Sequence, residues 1–311
     1  MSGRILVLGA AGRLGHAAAE AFRDNGWSVS GLVRPGTGWR APQGIEVIET
    51  RDRTVAVTAA RGADIVLHAL NPPYTEWAKH ALPLTYSAIE AAETSGATLI
   101  FPGNVYNFGA AMPPVLDEST SMNPTSRKGR LRVEIEQLLQ EASDRGMRTI
   151  VLRGGDFFGR GRGSWFDLVV VKEMNKGRLT YPGPPDLVHA WCYLPDFVEC
   201  LLRLAEKRDS FGQYESFGFP GHAVTGRDFT TAVAKAAQRP LQVKQVNWWM
   251  IHTLGRLTKM GRELSEIGYL WRVPHRIDGR KLEETIGKAP HTRLDAAITQ
   301  SLRELGLIGQ V

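Results

Sequence analysis

The stretch that decides the fold reads Gly9-Ala10-Ala11-Gly12-Arg13-Leu14-Gly15. It directly follows the apolar run Ile5–Leu8 and opens a helix-like stretch, Leu14–Asp24. Glycines at such a junction let the chain turn sharply and let a phosphate approach bare backbone. The helix offers its unpaired N–H groups and the positive end of its dipole to a pyrophosphate. The GxxGxxG spacing therefore predicts a dinucleotide-binding loop, in which Leu14 and the three glycines contact the cofactor. The alternative is a tight strand-to-helix turn without a ligand.

Outward from this loop, short apolar runs alternate with longer amphipathic stretches. Six runs are typical of strands: Ile5–Leu8, Val29–Val33, Val47–Ile48, Ile65–His68, Leu99–Phe101 and Ile150–Leu152. Their Val, Ile and Leu content indicates a parallel sheet buried on both faces. The alternation predicts an α/β fold with a Rossmann-like doubly wound parallel sheet, and the C-terminal residues are expected to form a small cap. We assign residues 1–165 and 187–215 to the dinucleotide-binding domain and residues 166–186 and 216–311 to the capping region.

Composition narrows the class of protein. The 311 residues are 43% hydrophobic and 23% charged, as in ordinary globular proteins. The longest apolar run is five residues, whereas a membrane span needs about 20. Two cysteines exclude a disulfide framework, and no metal-binding spacing is present, so a metal-free, cytoplasmic protein is expected. The net charge of +6 is spread along the chain, which favours an anionic small molecule over nucleic acid.

The residue after the second strand bears on the choice of cofactor. An acidic residue there suits the ribose 2′-hydroxyl of NAD, whereas an arginine accommodates the 2′-phosphate of NADP. Arg34 occupies this position, and Arg13 in the glycine loop could flank the same phosphate. NADP(H) is therefore favoured, and NAD(H) stays open. Asp52, after the third strand, is a candidate for the adenine edge.

The motifs after the later strands carry a family resemblance. They read Ala63-Asp-Ile-Val-Leu-His68-Ala69, Phe101-Pro-Gly-Asn-Val-Tyr106, Val151-Leu-Arg-Gly-Gly-Asp-Phe-Phe-Gly159 and Val188-His-Ala-Trp-Cys-Tyr-Leu-Pro-Asp196. With the glycine loop, they resemble the short-chain dehydrogenase/reductase superfamily, in its extended or atypical epimerase/dehydratase-like branch, over about residues 4–208. The resemblance implies a nicotinamide cofactor, a C-terminal region that covers the substrate, and a homodimer as the common state.

The usual catalysts of that family are missing from this chain. The family implies a Ser or Thr after the fifth strand and a Tyr-x-x-x-Lys pair on the next helix. None of the seven tyrosines is followed by lysine four residues later. Two alignments place the pair on Ser126 and Arg130 or on Thr125 and Gly129.

Other side chains must then supply the chemistry. We expect another hydroxyl, that of Tyr106, Tyr74 or Tyr193, to deliver the proton, with Tyr106 as the first candidate. Lys128 is expected to support catalysis and hold the cofactor ribose, and Asn71 to border the nicotinamide. The residues expected to touch substrate are Tyr74, Asn104, Arg153, His189 and Tyr193.

Two functions fit these residues. The first is an NADP(H)-binding oxidoreductase or epimerase/dehydratase-like enzyme that acts on a small carbonyl or hydroxyl compound, for which a nucleotide sugar is one candidate. The second, motivated by the missing Tyr–Lys pair, is a non-catalytic NADP(H)-binding redox sensor or regulatory protein.

Overall fold

The computed structural model describes residues 3–255 and 258–309. Residues 1–2, 256–257 and 310–311, which fall within the predicted domains, lie outside the described residues. The strands are β1 (Arg4–Leu8), β2 (Ser28–Val33), β3 (Ile45–Glu49), β4 (Ile65–His68), β5 (Thr98–Gly103), β6 (Val115–Leu116), β7 (Thr149–Arg153), β8 (Asp156–Phe158), β9 (Arg178–Tyr181), β10 (Val188–Tyr193), β11 (Tyr214–Gly218), β12 (His222–Thr225), β13 (Gln242–Gln245) and β14 (Arg276–Ile277). The helices are α1 (Arg13–Asp24), α2 (Arg53–Ala59), α3 (Trp77–Ser95), α4 (Arg127–Asp144), α5 (Leu194–Glu206), α6 (Gly226–Ala236), α7 (Trp248–Gly255), α8 (Lys259–Ile267), α9 (Arg280–Ile286) and α10 (Leu294–Glu304).

A seven-stranded sheet in the order β11-β7-β5-β4-β1-β2-β3 forms the centre, and each neighbouring pair is parallel. This confirms the predicted Rossmann-like fold. From β1 the chain first builds β2 and β3 on one side, and then β4 and β5 on the other. Such a reversal opens a crevice at the carboxyl ends of the strands, where open α/β sheets bind ligands.

Helices cover both faces of this sheet, as its apolar strands require. On one face α1 and α5 pack together, and on the other α2, α3 and α4 form a second layer. The buried stripe of α1 is Ala17, Ala18, Ala19 and Phe22. Small alanines let the helix approach the strands closely, and Phe22 fills the space beyond them.

The edge strand β11 was not among the six predicted strands. Its sequence, Tyr-Glu-Ser-Phe-Gly, is half-buried and largely polar at its start. Only Phe217 and Gly218 are buried, and the other three side chains are half-exposed. An edge strand that packs on one side lacks the continuous apolar run by which a central strand is recognised in the sequence.

Smaller sheets lie beside the central one, and two of them combine strands from both predicted parts of the chain. The strands β12, β10 and β8 form one sheet, while β13 pairs with β9 and β14 with β6. The segment after β8 forms a π-helical turn at Phe166–Val170 and a 3-10 turn at Met174–Lys176. The segment Gly268–Trp271 is another 3-10 turn, and it reaches back to the carboxyl edge of the central sheet. No helix in residues 3–255 and 258–309 has the length and apolarity needed to cross a membrane.

Candidate active site

The glycine loop between β1 and α1 forms the first part of the site. Gly9 has φ +88°, a conformation that side chains rarely adopt. A Cβ on Gly15 would lie 2.3 Å from the Gly9 carbonyl oxygen, and one on Gly12 would lie 3.2 Å from it. No side chain of the described residues caps the N-terminus of α1. The loop is thus a backbone-lined cradle with unsatisfied N–H groups, which fits a pyrophosphate. Leu14 is half-buried against the core.

Two arginines flank this cradle. Arg13 donates from Nη1 to the Gly159 carbonyl oxygen at 3.3 Å and forms no ion pair within the described residues. Burial lowers the pKa of its guanidinium, although arginine keeps its charge in proteins. Arg34 directly follows β2 and is exposed, with no ion pair in the described part of the chain. Both cations are available to a phosphate.

The other predicted cofactor residues lie farther along the same edge. Asp52 is the N-cap of α2, where its carboxylate accepts a hydrogen bond from the Thr54 backbone at 2.8 Å. Helix capping is sufficient to account for an aspartate at this position, and its contact with adenine stays a prediction. Asn71 is exposed in the loop after β4, which leads into the 3-10 turn Tyr74–Glu76.

A pair of tyrosines occupies the carboxyl ends of β4 and β5. The Tyr74 and Tyr106 hydroxyl oxygens lie 2.8 Å apart, at hydrogen-bond distance. Burial raises the pKa of both hydroxyls, and that of Tyr106 well above its usual value. The Asp156 carboxylate raises both further, whereas the Arg132 guanidinium lowers both. The pair therefore holds its protons and acts as a hydrogen-bond donor.

Arg132 is a site residue that the sequence analysis missed. Its guanidinium carbon lies 4.7 Å from the centre of the Trp77 ring and 5.2 Å from that of Phe101. Its Nε is buried without a hydrogen-bond partner among the described residues. Lys128, Arg132 and Glu136 are four residues apart and share one face of α4. The Lys128-x-x-x-Arg132 spacing thus equals that of the family's Tyr-x-x-x-Lys, and neither sequence alignment had selected it.

Lys128 has partners that the sequence did not indicate. Its ammonium forms ion pairs with Glu263 and Glu266 of α8, and only 3% of its side chain is exposed. It also lies 5.4 Å from the centre of the Tyr74 ring. Its charge is therefore neutralised by the capping region beside the tyrosine pair, and the predicted contact with the ribose stays a prediction.

The structure gives Arg153 a different role from the predicted substrate contact. The guanidinium is bound to the Glu136 carboxylate, and the two side chains are 6% and 3% exposed. Asn107 donates to the same carboxylate at 2.9 Å. Arg153 therefore joins β7 to α4 inside the protein, since a buried charge must be paired.

Asp156 and His189 form a second polar pair near the tyrosines. His189 Nε2 lies 2.8 Å from Asp156 Oδ2, and the side chains are 5% and 15% exposed. The His189 ring stacks on Trp271, with ring centres 4.0 Å apart and planes 12° apart. The neighbouring Tyr269 hydroxyl donates to the Tyr106 carbonyl oxygen at 3.5 Å. The turn Gly268–Trp271 thus contacts both polar pairs. We name Tyr74, Tyr106, Arg132, Asp156 and His189 the strand-end cluster.

The remaining predicted substrate residues serve local structure. Asn104 accepts a hydrogen bond from the Tyr106 backbone at 3.0 Å and thereby fixes the turn after β5. Tyr193 lies against Phe158 and Gly159, and burial raises the pKa of its hydroxyl to about 12. It borders a surface hollow of about 1090 Å³ that is otherwise lined by α6, α10 and the residues flanking them. That hollow contains no member of the strand-end cluster.

Among the residues that the structure describes, no group of three or more His, Cys, Asp or Glu side chains is arranged to hold a metal ion.

Known proteins share the sequence pattern of this chain. The model of the NAD dependent epimerase/dehydratase family matches residues 5–218, more than half of the chain. A 3-diazoavenalumate denitrifying reductase from Streptomyces sp is 25% identical over an alignment of 299 residues that covers 88% of this chain and 96% of that protein.

Solved structures share the whole fold at low identity. The UDP-glucose 4-epimerase from Bifidobacterium longum, in complex with NAD+ and UDP, has a TM-score of 0.76 and 16% identity, covering 97% of this chain and 98% of its own. The Bordetella bronchiseptica enzyme WbmH, in complex with NAD+, has a TM-score of 0.75 and 14% identity, covering 98% and 99%. The match of fold and family over the glycine loop and the later strands shows that this chain is an NAD(P)-dependent enzyme of the NAD dependent epimerase/dehydratase family.

Proposed function

We propose that this protein is an NADPH-dependent reductase of a small electron-poor organic compound. The observation that carries this proposal is the buried Tyr74–Tyr106 pair, whose hydroxyls keep their protons. Epimerases and dehydrogenases that oxidise an alcohol need a base for the hydroxyl proton, and a tyrosine with a raised pKa is a poor base. A reductase needs no such base.

The preference for NADPH rests on charge. Arg13 and Arg34 flank the glycine loop, and neither forms an ion pair with a carboxylate of the described residues. Bidentate bonding between arginine and phosphate is strong, which favours the extra phosphate of NADP. The uncapped N-terminus of α1 and the three glycines would hold the pyrophosphate. The cofactor supplies a hydride.

The chain's own residues would orient and stabilise the acceptor. Tyr74, which is more exposed than Tyr106, donates a hydrogen bond to it, and Tyr106 donates to Tyr74. Arg132 lies against the Trp77 and Phe101 rings, and its positive charge lowers the pKa of both hydroxyls, which makes them stronger hydrogen-bond donors. The surrounding rings exclude water, which strengthens these interactions.

The acceptor class is suggested by the Streptomyces relative, whose name describes a reductase of a diazo compound. Reducing a ketone consumes one hydride and one proton. An aryl diazonium ion takes up one hydride, releases N₂ and leaves the neutral arene, so it consumes no proton. Such an acceptor suits a site in which the tyrosine pair retains its protons.

The test has two stages. Calorimetric titration with NADPH and NADH measures cofactor preference, and NADPH is expected to bind more tightly. The loss of NADPH absorbance is then followed with aromatic aldehydes and ketones, aryl diazonium salts and UDP-sugars, with enzyme-free mixtures as controls. Epimerisation of a UDP-sugar without reduction of any other compound would overturn the proposal. Tight NADPH binding without turnover of the panel would favour a non-catalytic sensor.

A further inference from the structure

The Asp156 carboxylate has one oxygen that its neighbours do not use. Oδ2 lies 2.8 Å from His189 Nε2, and because a carboxylate only accepts, the histidine nitrogen donates this hydrogen bond. Oδ1 accepts no hydrogen bond from the described residues, and 15% of the side chain is exposed. Asp156 starts β8, three residues after the end of β7, and so lies at the carboxyl edge of the sheet. This oxygen is available to a ligand.

Aromatic rings surround this carboxylate. Trp271 stacks on His189, and Trp165 lies against Trp271 with ring centres 5.2 Å apart. The Tyr74 and Tyr106 hydroxyls are close enough to Asp156 for its charge to raise the pKa of both. A cation at such a site is attracted by the charge of the carboxylate and also by the quadrupoles of the aromatic rings.

The nearby positive charges do not cancel this attraction. Lys128 is neutralised by Glu263 and Glu266. Arg132 lies under the Trp77 and Phe101 rings, and Arg13 lies beside the glycine loop, where cofactor phosphates would balance its charge. Asp156 is the carboxylate of the strand-end cluster, and its unused Oδ1 is the atom that can meet a cationic acceptor.

We propose that Asp156 determines substrate specificity by recognising a positively charged, electron-poor group on an aromatic compound, with His189 and Trp271 as positioning residues. The proposal rests on the proposed reductase function, because it names the acceptor of that same site. A cation is neutralised by a hydride alone, so recognition of a cation agrees with a tyrosine pair that does not release its protons.

The experiment measures binding without turnover. The protein saturated with 1,4,5,6-tetrahydro-NADP, a reduced cofactor analogue whose ring is neutral and transfers no hydride, is titrated with N-methylquinolinium and with its neutral isostere, 1-methylnaphthalene. The cation is expected to bind about ten-fold more tightly than the isostere. In Asp156→Asn, which can still hydrogen-bond to His189, this preference is expected to disappear. Equal binding of both ligands by the unmodified protein, or an undiminished preference in Asp156→Asn, would overturn the proposal.

The controls separate charge from packing and from the proposed function. Asp209→Asn removes an exposed carboxylate at the opposite edge of the sheet and is expected to keep the preference. Trp271→Leu is expected to weaken the cation more than the isostere and to leave part of the preference, because it removes a ring quadrupole but not the carboxylate charge. A preference for the cation in a protein that reduces nothing would leave this inference standing while the proposed function falls.

Discussion

The two walls of the crevice at the strand ends are held in place by different means. On the β1–α1 wall, Gly9, Gly12 and Gly15 let backbone atoms approach so closely that a Cβ would clash. On the α4 wall, side chains from distant segments fix one another, as when Glu136 binds both Arg153 and Asn107. The first wall is specified within seven consecutive residues, whereas the second depends on the whole fold. The β1–α1 wall can therefore keep the family pattern while the chemistry at the α4 wall changes.

The largest expected effect lies on the α4 wall. Arg153→Met leaves the Glu136 carboxylate buried without its cation, and removing one partner of a buried pair costs about 3–5 kcal/mol of unfolding free energy. Urea denaturation measures this loss. Arg148→Met is the matched control, since its pair with Asp209 is 44% and 71% exposed, and is expected to cost less than about 1 kcal/mol. If both variants lose the same stability, the α4 wall is not held by this pair.

A smaller effect on stability but a large one on activity is expected from Arg132→Met. Removing a preorganised cation or donor from an active site lowers kcat by about 100-fold. Methionine fills much of the space between the rings, so NADPH affinity should be unchanged. Steady-state kinetics with the best acceptor of the panel measures the effect. Arg130→Met, an exposed change on the same helix, is the control. Normal turnover in Arg132→Met would remove Arg132 from the proposed site.

On the β1–α1 wall, the expected effects concern the binding of the cofactor alone. Arg13→Ala and Arg34→Ala should each weaken NADPH binding by about ten-fold, because each removes a hydrogen-bonded charge from a phosphate. Arg34→Ala should leave NADH binding unchanged, since NADH lacks the 2′-phosphate. Calorimetry measures both, with the exposed Arg61→Ala as control. An equal loss for NADH and NADPH in Arg34→Ala would contradict its assignment to the 2′-phosphate.

The smallest effect is a change in the pH dependence of stability. Burial lowers the pKa of His68 from 6.5 to about 3. The unfolded chain therefore binds a proton below pH 6.5 that the native protein excludes, so stability is complete above that pH and falls as pH decreases. His68→Leu should remove the uptake of one proton on unfolding. The slope of the unfolding free energy against pH should therefore decrease by about 1.4 kcal/mol per pH unit. Urea denaturation at several pH values below 6.5 measures the slope. An unchanged slope would show that His68 takes up its proton in the native protein.

The contrast between the walls also explains what the sequence could predict. The glycine loop and the alternation of strands and helices follow from local spacing, and both were predicted. The Tyr74–Tyr106 contact joins residues 32 positions apart, and the Asp156–His189 contact joins residues 33 positions apart. No local pattern specifies such pairs. Of these four residues, only Asp156 was absent from the predicted site.

Arg132 was missed for a related reason. The face that a helix turns inward is set by packing, and α4 carries basic residues on several faces. Glu136 fixes which face of α4 is buried, because it is paired with Arg153 of β7. Counting back from Glu136 in steps of four would have selected Arg132 and Lys128. The sequence contained this spacing, but which glutamate was buried could be decided only from the fold.

The two glutamates of α8 that neutralise Lys128 have a consequence for how such enzymes diverge. Residues 5–218 carry the family pattern, yet Glu263, Glu266 and Trp271 lie beyond it. The segment after residue 218 thus supplies the counter-ions of the Lys128 ammonium and the stacking partner of His189. Relatives that are alike over the shared region can thus accept different compounds, because substitutions in a late segment, remote from every recognised motif, rebuild the reacting end of the crevice.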